Sequence, residues 1–294
     1  MKYKYMRDNL EDKHNFLPLQ DKMLEIMVNV DKICQKHNIE YCLMGGSALG
    51  AKRHGGFIPW DDDLDIFMTP DNYDKLRKIL LERKEMPNYY LQEWGLTDGM
   101  VTISKIRDDN TTYIESSLKN WNIHHGVYID IFILHVAPNN KLLQLKQCFW
   151  AKYVVLKSLA NKHYSKRKGA VGLLMKILRL FPERFLIRHG LKEVYKYRNK
   201  NTNYYCNFLG KAGYKKGLYK KSMMYPFKKE KFEKVELFVP ANLDEFLKCR
   251  FGDYMKIPSA DQIKWNQHAE MWDVNESYIK KTGIKSKEDE SKLM

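Results

Sequence analysis

The chain has 294 residues, 44% hydrophobic and 30% charged, enough apolar material for one large domain or two modest ones. That balance excludes disordered, collagen-like and disulfide-stapled classes. The net charge of +15 is uneven: residues 131–230 carry 23 Lys and Arg against 3 acids, and the segments on either side are slightly acidic.

Taken in chain order, Leu19, Met23, Ile26, Met27, Val30, Ile33 and Cys34 recur at helical spacing, which predicts an amphipathic helix from Leu19 to Asn38. Tyr41–Met44 reads as a buried strand stopping at the tight turn Gly45-Gly46-Ser47, with a short helix from Ala48 to Arg53. Asp63–Met68 alternates polar and apolar residues as a half-buried strand does. Thr69-Pro70 then opens a helix over Asp71–Lys84. Tyr89–Trp94, Met100–Arg107 and Gly126–Leu134 are further strand candidates. Together these predict an α/β (α+β) unit over residues 17–136. Residues 137–276 read as a basic, mostly helical portion packed on that core, and 277–294 as a polar tail.

The excess charge of 131–230 calls for an anionic partner: nucleic acid, an acidic membrane face or a phosphate-bearing acceptor. Amphipathic helices in that block suit an anionic membrane surface. Solvated faces of a helical bundle are the alternative. No RNA-binding signature accompanies the block, so nucleic acid is not expected. No apolar run approaches the ~18 residues of a spanning helix, and no apolar region follows the basic N-terminal residues. A cytoplasmic protein, peripheral on the inner membrane face, is expected. Cys34, Cys42, Cys148, Cys206 and Cys249 form no CxxC pair and read as reduced core thiols.

Trp60-Asp61-Asp62-Asp63-Leu64-Asp65 places four carboxylates within five positions. Such a cluster repels itself unless cations or solvent intervene. On a strand, Asp63 and Asp65 share a face and can converge on a hard divalent ion; Asp61 shares that parity and Asp62 faces away. Asp130, between Ile129 and Ile131, needs a partner in its apolar surroundings. Gly45-Gly46-Ser47 offers backbone N–H groups, a hydroxyl and a following helix, as a phosphate site requires.

A glycine turn, an acid-apolar-acid strand and a third acid on a later strand resemble the nucleotidyltransferase superfamily, with its mixed-sheet core. Within it, GGSALGAKRHGGFIPWDDDLDIF looks like the LicD family of phosphocholine transferases. HGVYIDIF around Asp130, Phe232-Glu233 ahead of Val239-Pro240, and Phe251–Met255 with Pro258 fit the same family. The resemblance implies transfer of phosphocholine, or a related substituted phosphate, from a CDP-linked donor such as CDP-choline. The implied acceptor is a hydroxyl of a glycan or lipid-linked glycan precursor of teichoic acid, lipopolysaccharide or capsule. It further implies Mg²⁺ or Mn²⁺ on Asp63 and Asp65, completed by Asp130, which also takes the acceptor's proton. Asp61 is a weaker ligand; Asp61 and Asp62 can be outer groups.

Lys52 and Arg53 follow the glycine turn closely enough to reach the same diphosphate. Lys105, on a strand beside Ile103 and Ile106, is placed for a phosphate or one of the acids. His54, His125 and His268 are weaker candidates. A choline head group wants aromatic walls, for which Trp60, Trp94, Trp121 and Tyr128 are candidates. The competing functions are a true nucleotidyltransferase acting on a small molecule or RNA, and a non-enzymatic membrane-surface adaptor, which leaves the acids unexplained.

Overall fold

A computed structural model describes residues 15–161 and 169–284. The first half supplies α1 (Leu17–Lys36), β1 (Cys42–Leu43), α2 (Gly45–His54), β2 (Asp65–Met68), α3 (Pro70–Glu82), β3 (Tyr89–Gln92), β4 (Ser104–Asp108), β5 (Thr112–Glu115) and β6 (Tyr128–Ile133). Five of these strands form one sheet in the order β1-β2-β6-β4-β3. Only β2 and β6 pair in parallel; the other neighbours are antiparallel. The expected mixed-sheet α/β core is therefore present.

Alternation along β6 separates two environments. Ile129 and Ile131 are fully buried on one face, while Asp130 points to the other. Helix α1 buries Leu19, Met23, Ile26, Met27, Val30 and Cys34 against this core, the stripe that helical spacing picked out.

The rest of the chain contains β7 (His135–Ala137), α4 (Lys141–Asn161), α5 (Gly169–Arg179) and α6 (Glu183–Val194). Next come β8 (Tyr204–Cys206), α7 (Gly213–Gly217), β9 (Leu218–Lys220), α8 (Lys221–Met224), β10 (Lys228–Phe232), β11 (Val235–Val239) and α9 (Leu243–Phe251). The described chain ends with α10 (Ala260–Asn266), β12 (Ala269–Asp273) and α11 (Tyr278–Thr282). The basic block is thus helical through α4–α6 and turns to short strands from Tyr204. Tyr219, Phe232, Val239 and Phe246 join the same hydrophobic cluster as β2 and β6, and β12 pairs with β5. The C-terminal third is stitched into the core. Of the expected polar tail, residues 277–284 hold α11, with Tyr278 buried; from 285 the tail lies outside the described residues.

Two local readings change. Gly45-Gly46-Ser47 is the first turn of α2 and not a loop before it; the chain passes from extended Met44 into the helix through Gly45, at φ +55°, a conformation favouring glycine. Strand β4 begins at Ser104, because Met100 and Ile103 pair with each other across a local turn.

Helix α4 packs along α6 at Gly190, where an added Cβ would overlap the Val154 methyl group. Gly190→Ala should therefore cost about 1–3 kcal/mol by overpacking, read as a lower urea midpoint at unchanged slope.

Candidate active site

The acidic segment is held from behind. Gln20 Nε2 donates to the carbonyls of Ile58 (3.1 Å) and Asp61 (2.8 Å), and Tyr113 Oη donates to the Asp62 carbonyl at 3.0 Å. The Leu64 carbonyl accepts the Asp130 N–H at 2.8 Å. Ser47 Oγ accepts the Asp65 N–H at 2.8 Å, and the Met44 N–H donates to the Asp65 carbonyl at 2.9 Å. The glycine turn and the acidic strand are thus tied together before any ligand arrives.

Register does the rest. Asp65 is directly opposite Asp130 on parallel β2 and β6, Asp130 opposite Lys105, and Lys105 opposite Gln92. Residues in register share a face, so Asp65, Asp130, Lys105 and Gln92 form one polar row at about 4.8 Å per strand. Two positions along the same face, the Phe67 and Phe132 rings lie 6.5 Å apart and Phe67 meets Tyr219 and Phe246, which keeps that end dry.

Asp61, Asp63 and Asp65 are partly exposed while Asp62 and Leu64 are buried, the parity expected of an extended segment. A Cβ at Gly46 would lie 2.5 Å from Asp61 Oδ2, and one at Gly45 3.1 Å from Asp65 Oδ2. Two carboxylates therefore face the N-terminal turn of α2, at places only glycine leaves open.

The electrostatics are those of crowded like charges. Burial, then Asp63, Asp130 and Asp61, push the Asp65 carboxyl well above the usual range, with Arg250 opposing. Asp61 is raised by burial, Asp63 and Asp62. Asp63 is pushed up to about 6 by burial, against His268 and together with Asp62 and Asp130. Asp130 is raised by burial, partly offset by Lys105. Lys105 Nζ lies 2.9 Å from Asp130 Oδ1 but off-line, so this buried oxygen lacks a well-aligned hydrogen bond. Hard oxygen donors that raise one another's pKa fit a divalent cation, although among the described residues no three acidic, His or Cys side chains already close into a cage.

The other candidates divide. Lys105 is at the centre: besides Asp130 it approaches Glu115 (3.4 Å) and caps the Tyr128 ring at 3.4 Å, so Tyr128 is a buried platform for a lysine and not a choline wall. Arg53 is buried, donating to the Tyr254 carbonyl at 2.9 Å with its charge near Asp61 and Trp60. Lys52 points outward to Asp244, 3.6 Å away, rather than into the cleft. His54 packs edge-on to Trp60 and is held down at about 4 by burial and Arg53. His125 bonds the Trp121 carbonyl at 2.9 Å and is held near 4 by burial; both read as structural. His268 comes into the site, Nε2 being 3.7 Å from Asp63 Oδ2. Asp62 brings it there, since its Oδ2 accepts the backbone N–H groups of His268 (2.6 Å) and Ala269 (2.7 Å). Trp94 and Trp121 line a separate cavity of 1080 Å³.

Three residues escaped the sequence reading. Glu115 on β5 binds Lys105 and Arg107, and although burial raises it, those two cations bring it down to about 2. Arg107, wholly buried, bonds Gln92 and the Gly126 carbonyl. Arg250 on α9 directs its guanidinium toward Gly45 and Asp65, with Nε and Nη1 buried and making no hydrogen bond. None stands in a local motif; only Arg107, two positions after Lys105 on the same strand, carried a signal.

Residues 38–153 match the family model described as LicD/FKTN/FKRP, nucleotidyltransferase domain. The chain is 26% identical over 248 residues to lipopolysaccharide cholinephosphotransferase LicD of Haemophilus influenzae, covering 82% of this chain and 91% of that protein. An uncharacterized protein of Rickettsia prowazekii is 28% identical over 117 residues, 40% of this chain and 35% of the relative. One of Rickettsia typhi is 36% identical over 64 residues, covering 22% and 21%.

The raised Asp63 pKa sets a signed pH test. Folding favours its protonated form, so this contribution is full below the unfolded value near 4 and is lost as pH rises through about 6. His54, His125 and His135, held near 4, act oppositely, adding stability as pH rises toward 6.5. Glu115 is ionised throughout this window. The test is therefore a difference: in ligand-free protein, Asp63→Asn should gain melting temperature over wild type between pH 4.5 and 7.5, reaching roughly 2–6 °C. A constant difference would refute carboxylate repulsion. Asp62→Ala should cost about 1–3 kcal/mol by orphaning the 268–269 N–H groups, measured by denaturant unfolding.

Proposed function

We propose that this chain, whose residues 38–153 match the LicD/FKTN/FKRP family model, is a transferase moving phosphocholine from CDP-choline to a hydroxyl of a cell-surface glycan precursor of the lipopolysaccharide, teichoic acid or capsule type. The observation that carries this reading is the in-register pair Asp65 and Asp130, with Asp65 facing the glycine-opened N-terminus of α2. The likeness to a lipopolysaccharide cholinephosphotransferase over most of both chains supports it.

The first-turn N–H groups of α2 present positive partial charge to the donor diphosphate. Asp61 and Asp65 face the same turn, so an anion approaches them only where cationic charge intervenes. Asp63, Asp65 and Asp130, with Asp61 beside them, would hold Mg²⁺ or Mn²⁺. When bound, the ion neutralises charge developing on the transferring and departing phosphates. Asp130 takes the proton of the acceptor hydroxyl as that oxygen bonds the phosphorus bearing choline. The bond from this phosphorus to the bridging oxygen breaks, and CMP leaves. Lys105 holds Asp130 in place and lends cationic charge beside the reacting phosphate. Arg250, beside Gly45 and Asp65, would meet the departing CMP phosphate, and Trp60, next to Asp61 in sequence, would face the choline. The acceptor is membrane-borne and the enzyme works peripherally on the inner face.

Purified protein given CDP-choline and a glycan acceptor should release CMP. Pyrophosphate from ATP, with no CMP, would overturn the reading in favour of nucleotidyl transfer. CDP-ethanolamine, CDP-glycerol and CDP-ribitol in the same assay define the head group. Asp65→Asn and Asp130→Asn should each lower turnover by about 10²–10³-fold or more while the protein stays folded. Chelator should abolish turnover, and Mg²⁺ or Mn²⁺ should restore it. Independently of activity, millimolar Mg²⁺ should raise the melting temperature of wild type at pH 7.5 but not of these variants.

A further inference from the structure

Among the described residues, eleven of the fourteen exposed large hydrophobic side chains lie between Leu142 and Phe185, on α4, α5, α6 and the α5–α6 turn. Helix α5 is apolar on both sides: Met175 and Leu178 are buried, while Val171, Leu173, Leu174 and Ile177 face outward. Apolar side chains normally face a core, and among the described residues nothing covers the four on this outer face. At its end Leu180 is 82% exposed, and Phe181 and Phe185 are 51% and 71% exposed. The turn that carries them is pinned: Lys157 Nζ donates to the Leu178 and Phe181 carbonyls and Arg179 Nε to the Ala160 carbonyl.

Charge identifies the partner. From Lys141 to Val194 the sequence holds thirteen Lys and Arg and only two acids, Glu183 and Glu193. Lys176, Arg179, Arg184 and Arg188 are exposed beside the apolar side chains. A second copy of this face would bring like charges together, whereas an anionic lipid surface accepts both the cations and the apolar tips. No helix among the described residues is long and apolar enough to cross a membrane, which leaves interfacial seating for this face. We infer that the α5–α6 corner inserts Leu180, Phe181 and Phe185 into the interfacial layer of an anionic bilayer, with the flanking Lys and Arg on the lipid phosphates.

The seating has a consequence for access. Glu183 and Arg184, in the first turn of α6, line the 1080 Å³ cavity together with Trp94, Trp121, Leu81 and Leu96. Leu81 and Leu96 are two of the three exposed hydrophobics outside the helical patch. A smaller pocket shares Asp98, Trp121 and Ile123 with that cavity and reaches Gln92 and Lys105, the far half of the row that begins at the catalytic carboxylates. A seated protein therefore holds the cavity beside the lipid surface and in line with the reacting groups.

The test is co-sedimentation of the full chain with vesicles of phosphatidylcholine alone and with 30% phosphatidylglycerol, comparing wild type with the Leu180→Glu, Phe181→Glu, Phe185→Glu triple variant. Wild type should bind the anionic vesicles at 150 mM salt and retain part of that binding at 0.5 M. The triple variant, its fold checked by circular dichroism, should partition at least 10-fold less. Equal binding by both proteins that vanishes at 0.5 M salt would show charge-only attachment and overturn insertion, as would no binding by wild type. Dimerisation of wild type that the same substitutions abolish would show that a second copy covers the face, and would equally overturn it. Vesicle binding is read without turnover, so its failure is distinct from failure of the phosphocholine-transfer reading, on which the purpose of the seating rests.

Discussion

Asp65 and Asp130 lie opposite one another on parallel strands, and two carboxylates held about one strand spacing apart repel strongly in a half-buried cleft. Asp61 and Asp63 add to that repulsion. The fold opposes it with rigid attachments that involve no carboxylate oxygen of these four: Gln20 and Tyr113 on backbone carbonyls of the segment, Ser47 on the Asp65 N–H, and the sheet ladder on Asp130. Asp62, the one acid of the run that turns inward, is spent on the backbone of residues 268–269. The site is thus held in a geometry whose charge repulsion raises the carboxyl pKa values and is offset in part by Lys105, Arg250 and His268.

The same constraint explains the cations that surround the cleft. Lys105 and Arg107 are buried on a single strand, an arrangement tolerable only because Glu115, Asp130, Gln92 and the Tyr128 ring receive them. Glu115 belongs to β5, which is paired with β12, and β12 begins beside His268. The C-terminal part of the chain therefore flanks the acidic cleft on one side through β12 and on the other through α9 and Arg250. The geometry of the acidic cluster depends on residues as far along the chain as 268.

Across the sheet the polar row runs from the acids to Gln92, about 14 Å at three strand spacings, and meets the aromatic cavity at its end. Acidic cluster, cavity and basic apolar helices thus follow one another in space.

Local patterns carried much of this. The stripe of α1, the alternation of Asp63-Leu64-Asp65 and the apolar flanks of Asp130 are written at periods of two or three to four residues, because each is imposed by backbone geometry over a single element. The sequence also showed that the middle of the chain is strongly basic. Tertiary structure alone decided the pairings between elements: Asp65 with Asp130 by strand register, Lys105 with Glu115, His268 with Asp63, and Arg250 with the start of α2. It also turned Lys52 away to Asp244 and spent Tyr128 on Lys105. Those contacts join residues separated by as many as 205 positions, as Gly45 and Arg250 are, and no local period encodes which distant side chain will neutralise a given charge. That choice is made only when the folded core brings both into one low-dielectric space.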